Sequence, residues 1–341
     1  MKLERLESIT AKYRSLRVAI VGDFCLDRYL EIDPARSEIS IETGLPVYNV
    51  TQVRSQPGAA GTILNNLVAL GIQEIYPVGF AGDDGEGFEL QRCLAAMPGV
   101  RLDHFLQTNL RRTFTYTKPL VMAPGKAPVE LNRLDFKNWT PTPAAVRAHI
   151  RQAVQALGSR VDAIILLDQV DIADTGVVTR EALDAVGQLA RQRPELFIIA
   201  DSRRGLKDFP PVCFKMNKVE FSVLSGSAKE SSLATVKETA AELARKHGRH
   251  VFVSLSEEGI LGAAPSGQVE HAGSLPIRGE IDIVGAGDAV TANLTAAMGA
   301  GATLRESLEL AMMAASLVIH QLGTTGTASV PQLQQLQREL L

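Results

Sequence analysis

The stretch RVAIVGD, residues 17–23, is a short apolar run rich in branched side chains, and it ends in a glycine and an aspartate. A run of this kind, without alternating polar residues, is typical of a strand buried on both faces of a sheet. Similar runs occur at residues 75–78, 163–167, 196–200 and 250–255. We therefore predict that these segments are strands of one buried sheet.

Segments with a helical spacing of apolar residues lie between these runs, at residues 144–157, 179–191, 233–246, 289–298 and 304–319. Strands that alternate with helices predict a parallel sheet covered on both faces. Ligands of such folds bind at the carboxyl ends of the strands. Residues 1–17 carry mixed charges and predict a short amphipathic helix.

Two regions, residues 28–53 and 113–134, break this alternation. The second contains TFTYTKPLVM, in which threonines and aromatic residues alternate with other side chains as in exposed strands. We expect a small antiparallel sheet that is either a lid over a site or a dimer surface. No segment resembles a linker, so we expect one domain over residues 1–341.

The composition excludes several classes of function. The 35 basic and 38 acidic residues are well mixed and give a net charge of -3, so no basic surface is expected for nucleic acid or an anionic membrane. The three cysteines form no CxxC pair, which argues against a disulfide framework and a zinc site. No apolar run approaches the roughly 18 residues that span a membrane, and no signal peptide is recognisable. We expect a soluble, cytoplasmic protein.

The stretch DIVGAGD, residues 282–288, leads directly into the helix-forming AVTANLTAAM. Glycines let the backbone approach an anion, and the N-terminus of the following helix offers free N–H groups and partial positive charge. Asp288 at this position could take a proton from an attacking hydroxyl. The alternative is a glycine-rich turn with an N-capping aspartate.

A second pattern, Asn217-Lys218-Val219-Glu220, follows a predicted strand end at residues 214–216. The amide and the carboxylate could hold Mg²⁺ directly or through water, because magnesium keeps several waters and bridges phosphates. The alternative is a helix start with a capping box.

Together these motifs identify a resemblance to the PfkB (ribokinase-like) family of carbohydrate kinases over nearly the whole chain. The segments most similar to the heptose-7-phosphate kinase members are GDFCLDRY (22–29), PGAAGTILNNLVALG (57–71), VGFAGDDGEG (78–87), TYTKP (115–119) and LNRLDF (131–136). The resemblance implies a three-layer α/β/α fold with a mainly parallel central sheet and a small β lid. It also implies ATP and Mg²⁺ as cofactors, a small sugar as substrate and a homodimer formed through the lid.

The resemblance assigns roles to individual residues. It implies Asp288 as the base, with Gly285, Ala286 and Gly287 as the anion hole. It places Asn217 and Glu220 near Mg²⁺, directly or through water, and Ser254, Ser256 and Gly259 near the nucleotide. It places Asp27, Gly58, Ala59 and Thr62 around the acceptor.

The sequence departs from the family pattern at several of these positions. Ala59 and Thr62 stand where family members have a second glycine and an asparagine, so the identity of the acceptor is open. Ser256 replaces the glycine of the nucleotide loop, and Val284 replaces a threonine before the anion hole. These changes predict weaker nucleotide binding or a lower rate.

Other motifs give weaker indications of function. Gly125-Lys126 is followed by Ala127, so no P-loop is present, and the first strand is not followed by GxGxxG. The segment HGRH, residues 247–250, is interpreted as an ordinary surface segment, and Asp83 and Asp84 as turn residues. Lys118 and Arg133 are candidate contacts for a substrate phosphate or carboxylate, and the alternative is a solvated surface charge. The segment DSRR, residues 201–204, is a candidate because it follows a predicted strand end, and the alternative is the start of a turn.

Three hypotheses follow. The first is a sugar or sugar-phosphate kinase, and the second is a related kinase for a pentose, a ketohexose phosphate or a nucleoside. The third is a regulator that keeps the pocket but turns over poorly, which the replacements at Ala59, Thr62, Ser256 and Val284 motivate.

Overall fold

A computed structural model describes residues 1–340. Its α-helices are Leu3–Thr10 (α1), Ala60–Ala69 (α2), Gly85–Ala95 (α3), Ala144–Leu157 (α4), Arg180–Gln192 (α5), Lys218–Ser225 (α6), Leu233–His247 (α7), Ala286–Gly299 (α8), Leu304–Ile319 (α9) and Val330–Glu339 (α10). Its strands up to residue 108 are Arg17–Gly22 (β1), Phe24–Ile32 (β2), Glu38–Ile39 (β3), Pro46–Val47 (β4), Val50–Ala59 (β5), Glu74–Gly82 (β6) and Phe105–Thr108 (β7). The later strands are Phe114–Val121 (β8), Val129–Glu130 (β9), Leu134–Phe136 (β10), Ala163–Asp168 (β11), Phe197–Ser202 (β12), Cys213–Asn217 (β13), Val251–Ser254 (β14), Ile260–Ala263 (β15) and Val269–Ala272 (β16).

The larger sheet has the strand order β16-β15-β14-β13-β12-β11-β1-β6-β7. Neighbours from β14 to β7 pair in parallel, and β15 pairs antiparallel with both β14 and β16. The apolar runs read from the sequence form β1, β6, β11, β12 and β14. The prediction of one mainly parallel central sheet is confirmed.

Helices cover both faces of this sheet. One buried cluster joins it to α1, α2, α3, α8, α9 and α10, and a second cluster joins it to α4, α5, α6 and α7. Side chains on the central strands alternate between the two clusters: Val18 and Ile20 of β1 belong to the first, and Ala19 and Val21 to the second. This alternation follows from the period of two residues along a strand and produces the predicted three layers.

The two irregular regions form a second, smaller sheet. Its strand order is β10-β8-β2-β5, and β9 also pairs with β8, near the end of that strand. Strands β2 and β8 run parallel, whereas β5 and β10 are antiparallel to their neighbours. The short ribbon of β3 and β4 extends from the connection between β2 and β5. The sheet is therefore mixed, not purely antiparallel as expected.

The predicted helices agree closely with the observed ones. Helices α4 and α9 have the predicted bounds, and α8 begins three residues before its predicted start, at Ala286. The N-terminal helix is shorter than the segment from which it was predicted and covers Leu3–Thr10. Among residues 1–340, no helix has both the length and the apolar composition that a membrane crossing requires.

Candidate active site

Polar residues converge where the parallel strands end. Strand β11 ends at Asp168, β12 at Ser202, β13 at Asn217 and β14 at Ser254. The register places Asp168 beside Ser202 and Asn217 beside Ser254. Helix α8 begins beside this edge, so the glycine-rich stretch and the strand ends together form the candidate site.

Asp288 lies in the first turn of α8. Loss of water around its carboxyl raises the pKa of Asp288 to about 7, an effect that the ammonium of Lys215 opposes and the carboxyls of Asp201 and Asp27 increase. A carboxyl with a pKa near neutrality can accept a proton efficiently from a hydroxyl.

The glycine-rich turn in front of Asp288 has the geometry of an anion site. Gly285 is the N-cap of α8 and has φ 83°, in the left-handed region that favours glycine. The first i→i−4 hydrogen bond of the helix runs from the N–H of Ala289 to the carbonyl of Gly285 (2.9 Å). The amides of Gly287 and Asp288 precede this bond and have no acceptor within the helix. These amides, together with the helix dipole, favour a negative charge at this point.

Lys215 of β13 extends under the same turn. The residue is 6% exposed, and its Nζ donates to Oδ2 of Asp201 at 2.6 Å. Burial opposes its charge, but the nearby carboxylates, Asp201 first and then Asp288 and Glu220, leave the pKa of Lys215 above its usual value. Lys215 is thus a buried cation beside the candidate base.

One face of the smaller sheet carries a row of polar side chains. Asp27 of β2 lies opposite Gln56 of β5 and Tyr116 of β8, and Tyr116 lies opposite Asp135 of β10. Side chains at paired positions point to the same face. Gln56 donates to the hydroxyl of Thr325, whose side chain lies within 3.5 Å of where a Cβ on Gly285 would be, so this face is turned toward the glycine-rich turn. Asp27 is 6% exposed, and burial raises the pKa of its carboxyl while Lys118 and Arg133 lower it.

Cations follow in the next row on that face. Tyr29 of β2 lies opposite Arg54 and Lys118, and both cations pack on its ring at 4.8 and 4.9 Å from the centroid. Arg133 packs over the ring of Tyr116 at 5.1 Å. Arg54 and Arg133 have carboxylate partners, whereas Lys118 forms no ion pair within residues 1–340 and donates to the Tyr29 hydroxyl at 3.4 Å. Lys118 is the cation of this row that is free for an anionic ligand.

Two departures from the family pattern stand at unusual backbone positions. Ala59 has φ 52° and ψ −115°, and Ser256 has φ 53°. Both lie in the region where glycine is unstrained and other residues are not. Another of the four departures, Thr62, is buried in α2, and its methyl group lies 3.6 Å from where a Cβ on Gly285 would be.

Asn217 and Glu220 form the capping box of α6. Oδ1 of Asn217 accepts from the Glu220 amide (2.9 Å), and Oε2 of Glu220 accepts from the Asn217 amide (2.8 Å). The capping box that the sequence offered as an alternative to a metal site is therefore observed. It does not use Oε1 of Glu220. Within residues 1–340, no group of three histidine, cysteine, aspartate or glutamate side chains is placed to bind a metal ion directly. A metal here would keep most of its waters, which fits Mg²⁺.

The predicted nucleotide residues lie around the end of β14. The hydroxyl of Ser254 donates to the carbonyl of Met216 (3.3 Å). Gly259 has φ 91°, and a Cβ on it would overlap the carbonyl of Ala272. Packing against β16 is therefore sufficient to require this glycine, with or without a ligand.

Other candidates have structural roles. Asp84 caps α3 and accepts from the Gly87 amide (2.8 Å), as expected for a turn residue. His247 ends α7, and Gly248 follows in a left-handed cap. In the segment 201–204, Arg204 binds Asp168 (2.6 Å), and Arg203 remains largely exposed.

Sequence reasoning missed three residues of the site. Lys215 stands in a strand whose neighbours are apolar, and Gln56 joins the polar row only through strand pairing. The buried carboxylate of Asp23 accepts from the amides of Val177 (2.7 Å) and Gln169 (2.8 Å) and so holds the loop after β11. Two signals were available from the sequence: a lysine inside an apolar strand and an aspartate directly after β1.

Most of this chain matches a known protein family. The family model described as pfkB family carbohydrate kinase matches residues 17–331. A bifunctional protein HldE from Pelobacter propionicus is 29% identical over 332 residues, which cover 96% of this chain and 64% of the relative. The HldE protein of Gluconobacter oxydans is 28% identical over 332 residues, with 96% and 65% covered. The chain thus spans just under two thirds of the length of these relatives.

Solved structures show the same fold. Arabidopsis thaliana ribokinase complexed with ribose and ATP superposes with a TM-score of 0.63 at 21% identity, covering 95% of this chain and 98% of that one. Phosphofructokinase-2 from Escherichia coli in complex with substrates and products gives 0.69 at 20% identity, covering 95% and 99%. The predicted ribokinase-like fold is confirmed.

Proposed function

The chain belongs to the pfkB family of carbohydrate kinases, and from this premise we propose that it transfers the γ-phosphoryl group of ATP to a hydroxyl of a sugar or sugar phosphate. Asp288 is the general base. The observation that carries this assignment is the position of Asp288 in the first turn of α8, directly after the glycine-rich turn, where burial raises the pKa of its carboxyl to about 7.

The proposed step uses groups already described. Asp27 accepts hydrogen bonds from the acceptor and orients it, and Asp288 takes the proton from the reacting hydroxyl. The acceptor oxygen then bonds to the γ-phosphorus as the bond from that phosphorus to the β–γ bridging oxygen breaks, and ADP leaves. The amides of Gly287 and Asp288 bind the negative charge on the phosphoryl oxygens.

We propose that Glu220 and Asn217 lie beside a hydrated Mg²⁺. The free Oε1 of Glu220 supports contact through water, because Asn217 Oδ1 and Glu220 Oε2 are already used in the capping box. When bound, the metal neutralises phosphate charge. The nucleotide would lie along the strand ends near Ser254 and Ser256, with Gly259 shaping the turn.

A phosphorylated acceptor fits the smaller sheet best. Its cleft face presents Lys118 without an ion pair and Arg133 nearby, both within reach of the acceptor carboxylate Asp27. A cation of this kind binds a phosphate oxygen. Since the relatives are HldE proteins, a heptose phosphate is the first acceptor to test, followed by ketohexose phosphates, pentoses and nucleosides.

The opposite face of the smaller sheet supports a homodimer. Val53, Leu134 and Phe136 are 45%, 60% and 43% exposed, and Ile39, Leu45 and Tyr48, in or next to the β3–β4 ribbon, are exposed as well. An apolar area of this kind on a sheet fits a second copy of the chain. Light scattering would show a dimer that Leu134→Glu converts to a monomer, whereas Val223→Glu, at an exposed position of α6, would leave it intact.

We further propose that the smaller sheet closes as a lid and that residues 1–341 act as one domain. A cytoplasmic location is proposed because the cysteines, Cys25, Cys93 and Cys213, are free.

The proposal is tested by measuring ADP release with a panel of free sugars, sugar phosphates and nucleosides. The Asp288→Asn variant, purified in parallel, controls for contaminating kinases. We expect acceptor-dependent ADP release that is highest with a sugar phosphate. ATP binding without ADP release for any acceptor would contradict the kinase assignment and favour a ligand-binding regulator.

A further inference from the structure

Lys215 has hydrogen-bond donors that the described residues do not use. Its ammonium is buried between β13 and the start of α8 and forms one hydrogen bond among the described residues, to Asp201. An ammonium has three donors, so two remain without a protein acceptor. The unused donors can bind an anion that enters the site.

The ammonium points at the first turn of α8. A Cβ on Gly287 would lie 3.1 Å from Nζ of Lys215, so the absence of a side chain at Gly287 leaves the space between them open. The N-terminus of a helix carries partial positive charge and repels a cation. An anion that lies between Lys215 and the start of α8 would therefore be attracted by both.

The charges around Lys215 hold it at this place. Asp201 binds it from the neighbouring strand β12 at 2.6 Å, and the carboxyls of Asp288 and Glu220 are close enough to favour its charged form. An anion that enters the glycine-rich turn would meet the amides of α8 on one side and this ammonium on the other.

From this arrangement we infer that Lys215 is a catalytic residue that contacts the phosphoryl group during its transfer, with Asp201 as its positioning residue. The inference rests on the proposed function. Lys215 would bind the charge that the transferred group carries between donor and acceptor, a task in which a buried preorganised charge is most effective. The same ammonium favours the ionised form of Asp288, so it supports the base as well.

The test compares Lys215→Met, which removes the charge, with Lys215→Arg, which keeps it. The control is Lys12→Met, because Lys12 donates to the carbonyl of Ala300 at the other end of α8 (3.1 Å). With the best acceptor found for the wild type, we expect Lys215→Met to lower kcat by about 100-fold with KM for ATP within about threefold. Lys215→Arg should recover part of that loss, and Lys12→Met should keep wild-type kcat.

A binding measurement tests the contact without an acceptor. Aluminium fluoride with MgADP imitates a phosphoryl group in transfer, and calorimetry gives the affinity of MgADP with and without it. We expect aluminium fluoride to tighten MgADP binding by about tenfold or more in the wild type. Lys215→Met should lose this gain and bind MgADP alone within about twofold of the wild type.

A purely structural role for the ion pair is tested with the double variant Lys215→Met, Asp201→Asn, which leaves no unpaired buried charge. Thermal unfolding should show recovered stability, while kcat stays about 100-fold low. Recovery of kcat in the double variant would overturn the inference, as would unchanged kcat and unchanged aluminium fluoride binding in Lys215→Met. If the wild type transfers phosphate to no acceptor, the proposed function fails, and the aluminium fluoride measurement alone decides the role of Lys215.

Discussion

A Cβ atom on Gly58 would lie 2.5 Å from Oδ2 of Asp27. These two residues are on neighbouring strands of the smaller sheet, and the missing side chain of Gly58 lets the carboxyl of Asp27 pack directly against β5. The position of the proposed acceptor ligand therefore depends on a glycine beside it.

We predict that Gly58→Ala displaces Asp27 and raises KM for the acceptor by roughly tenfold or more, with ATP binding unchanged. Steady-state kinetics with the best acceptor and calorimetry with MgATP measure the two effects. Gly85→Ala is the control, since a Cβ at Gly85 meets nothing within 4 Å. Equal KM values for Gly58→Ala and the wild type would show that Asp27 does not bind the acceptor.

Replacement of Asp288 by asparagine removes the proposed base and keeps the size of the side chain. We predict that kcat falls by roughly 10²-fold or more, because proton transfer from the hydroxyl loses its acceptor. MgATP affinity, measured by calorimetry, should stay close to the wild-type value. Full turnover by this variant would assign the base to another group.

The rate should depend on pH through Asp288. Its pKa is raised to about 7 by loss of water, with Asp201 and Asp27 adding to the shift and Lys215 opposing it. A base must be ionised, so kcat/KM for the acceptor should fall about tenfold per pH unit below about pH 7 and level off above it. A rate that stays constant down to about pH 5 would contradict this prediction.

The same shift affects stability. Because the pKa of Asp288 in the folded protein is raised to about 7, well above that of a solvated carboxyl, the folded state binds its proton more tightly than the unfolded state. The resulting penalty is absent well below about pH 4, grows as the pH rises, and is complete above about pH 7. Asp288→Asn should therefore have a higher Tm than the wild type at about pH 8 and a smaller advantage at about pH 4.5. A Tm difference independent of pH would show that Asp288 has no such shift.

Much of the fold is readable from the sequence because its strands are uninterrupted apolar runs and its helices have clear amphipathic spacing. Helices α4 and α9 have the predicted bounds for this reason. The stretch around Asp288 is equally visible, since paired glycines directly before a helix favour an anion site. Lys215 is not visible in this way, because its importance comes from Asp201 and Gly287, which lie on other elements and meet it only in the folded chain.

The polar row of the smaller sheet could not be predicted either. Asp27, Gln56 and Tyr116 share a face because of strand register, which periodicity within one strand does not determine. A shift of one residue would have turned Asp27 away from its neighbours. The same limitation applies to Ala59, whose backbone conformation depends on the junction between β5 and α2.

Ala59 gives a prediction about stability that is separate from catalysis. Its φ of 52° and ψ of −115° are costly for a residue with a Cβ and easily adopted by glycine. We predict that Ala59→Gly stabilises the protein by about 1 kcal/mol, because the relief of backbone strain exceeds the added entropy of the unfolded chain. Urea unfolding measures the difference. Ala60→Gly is the matched control: it places the same change one residue later, in α2, where glycine should destabilise by about 1 kcal/mol or more. If both variants lost stability equally, the backbone conformation at Ala59 would carry no strain.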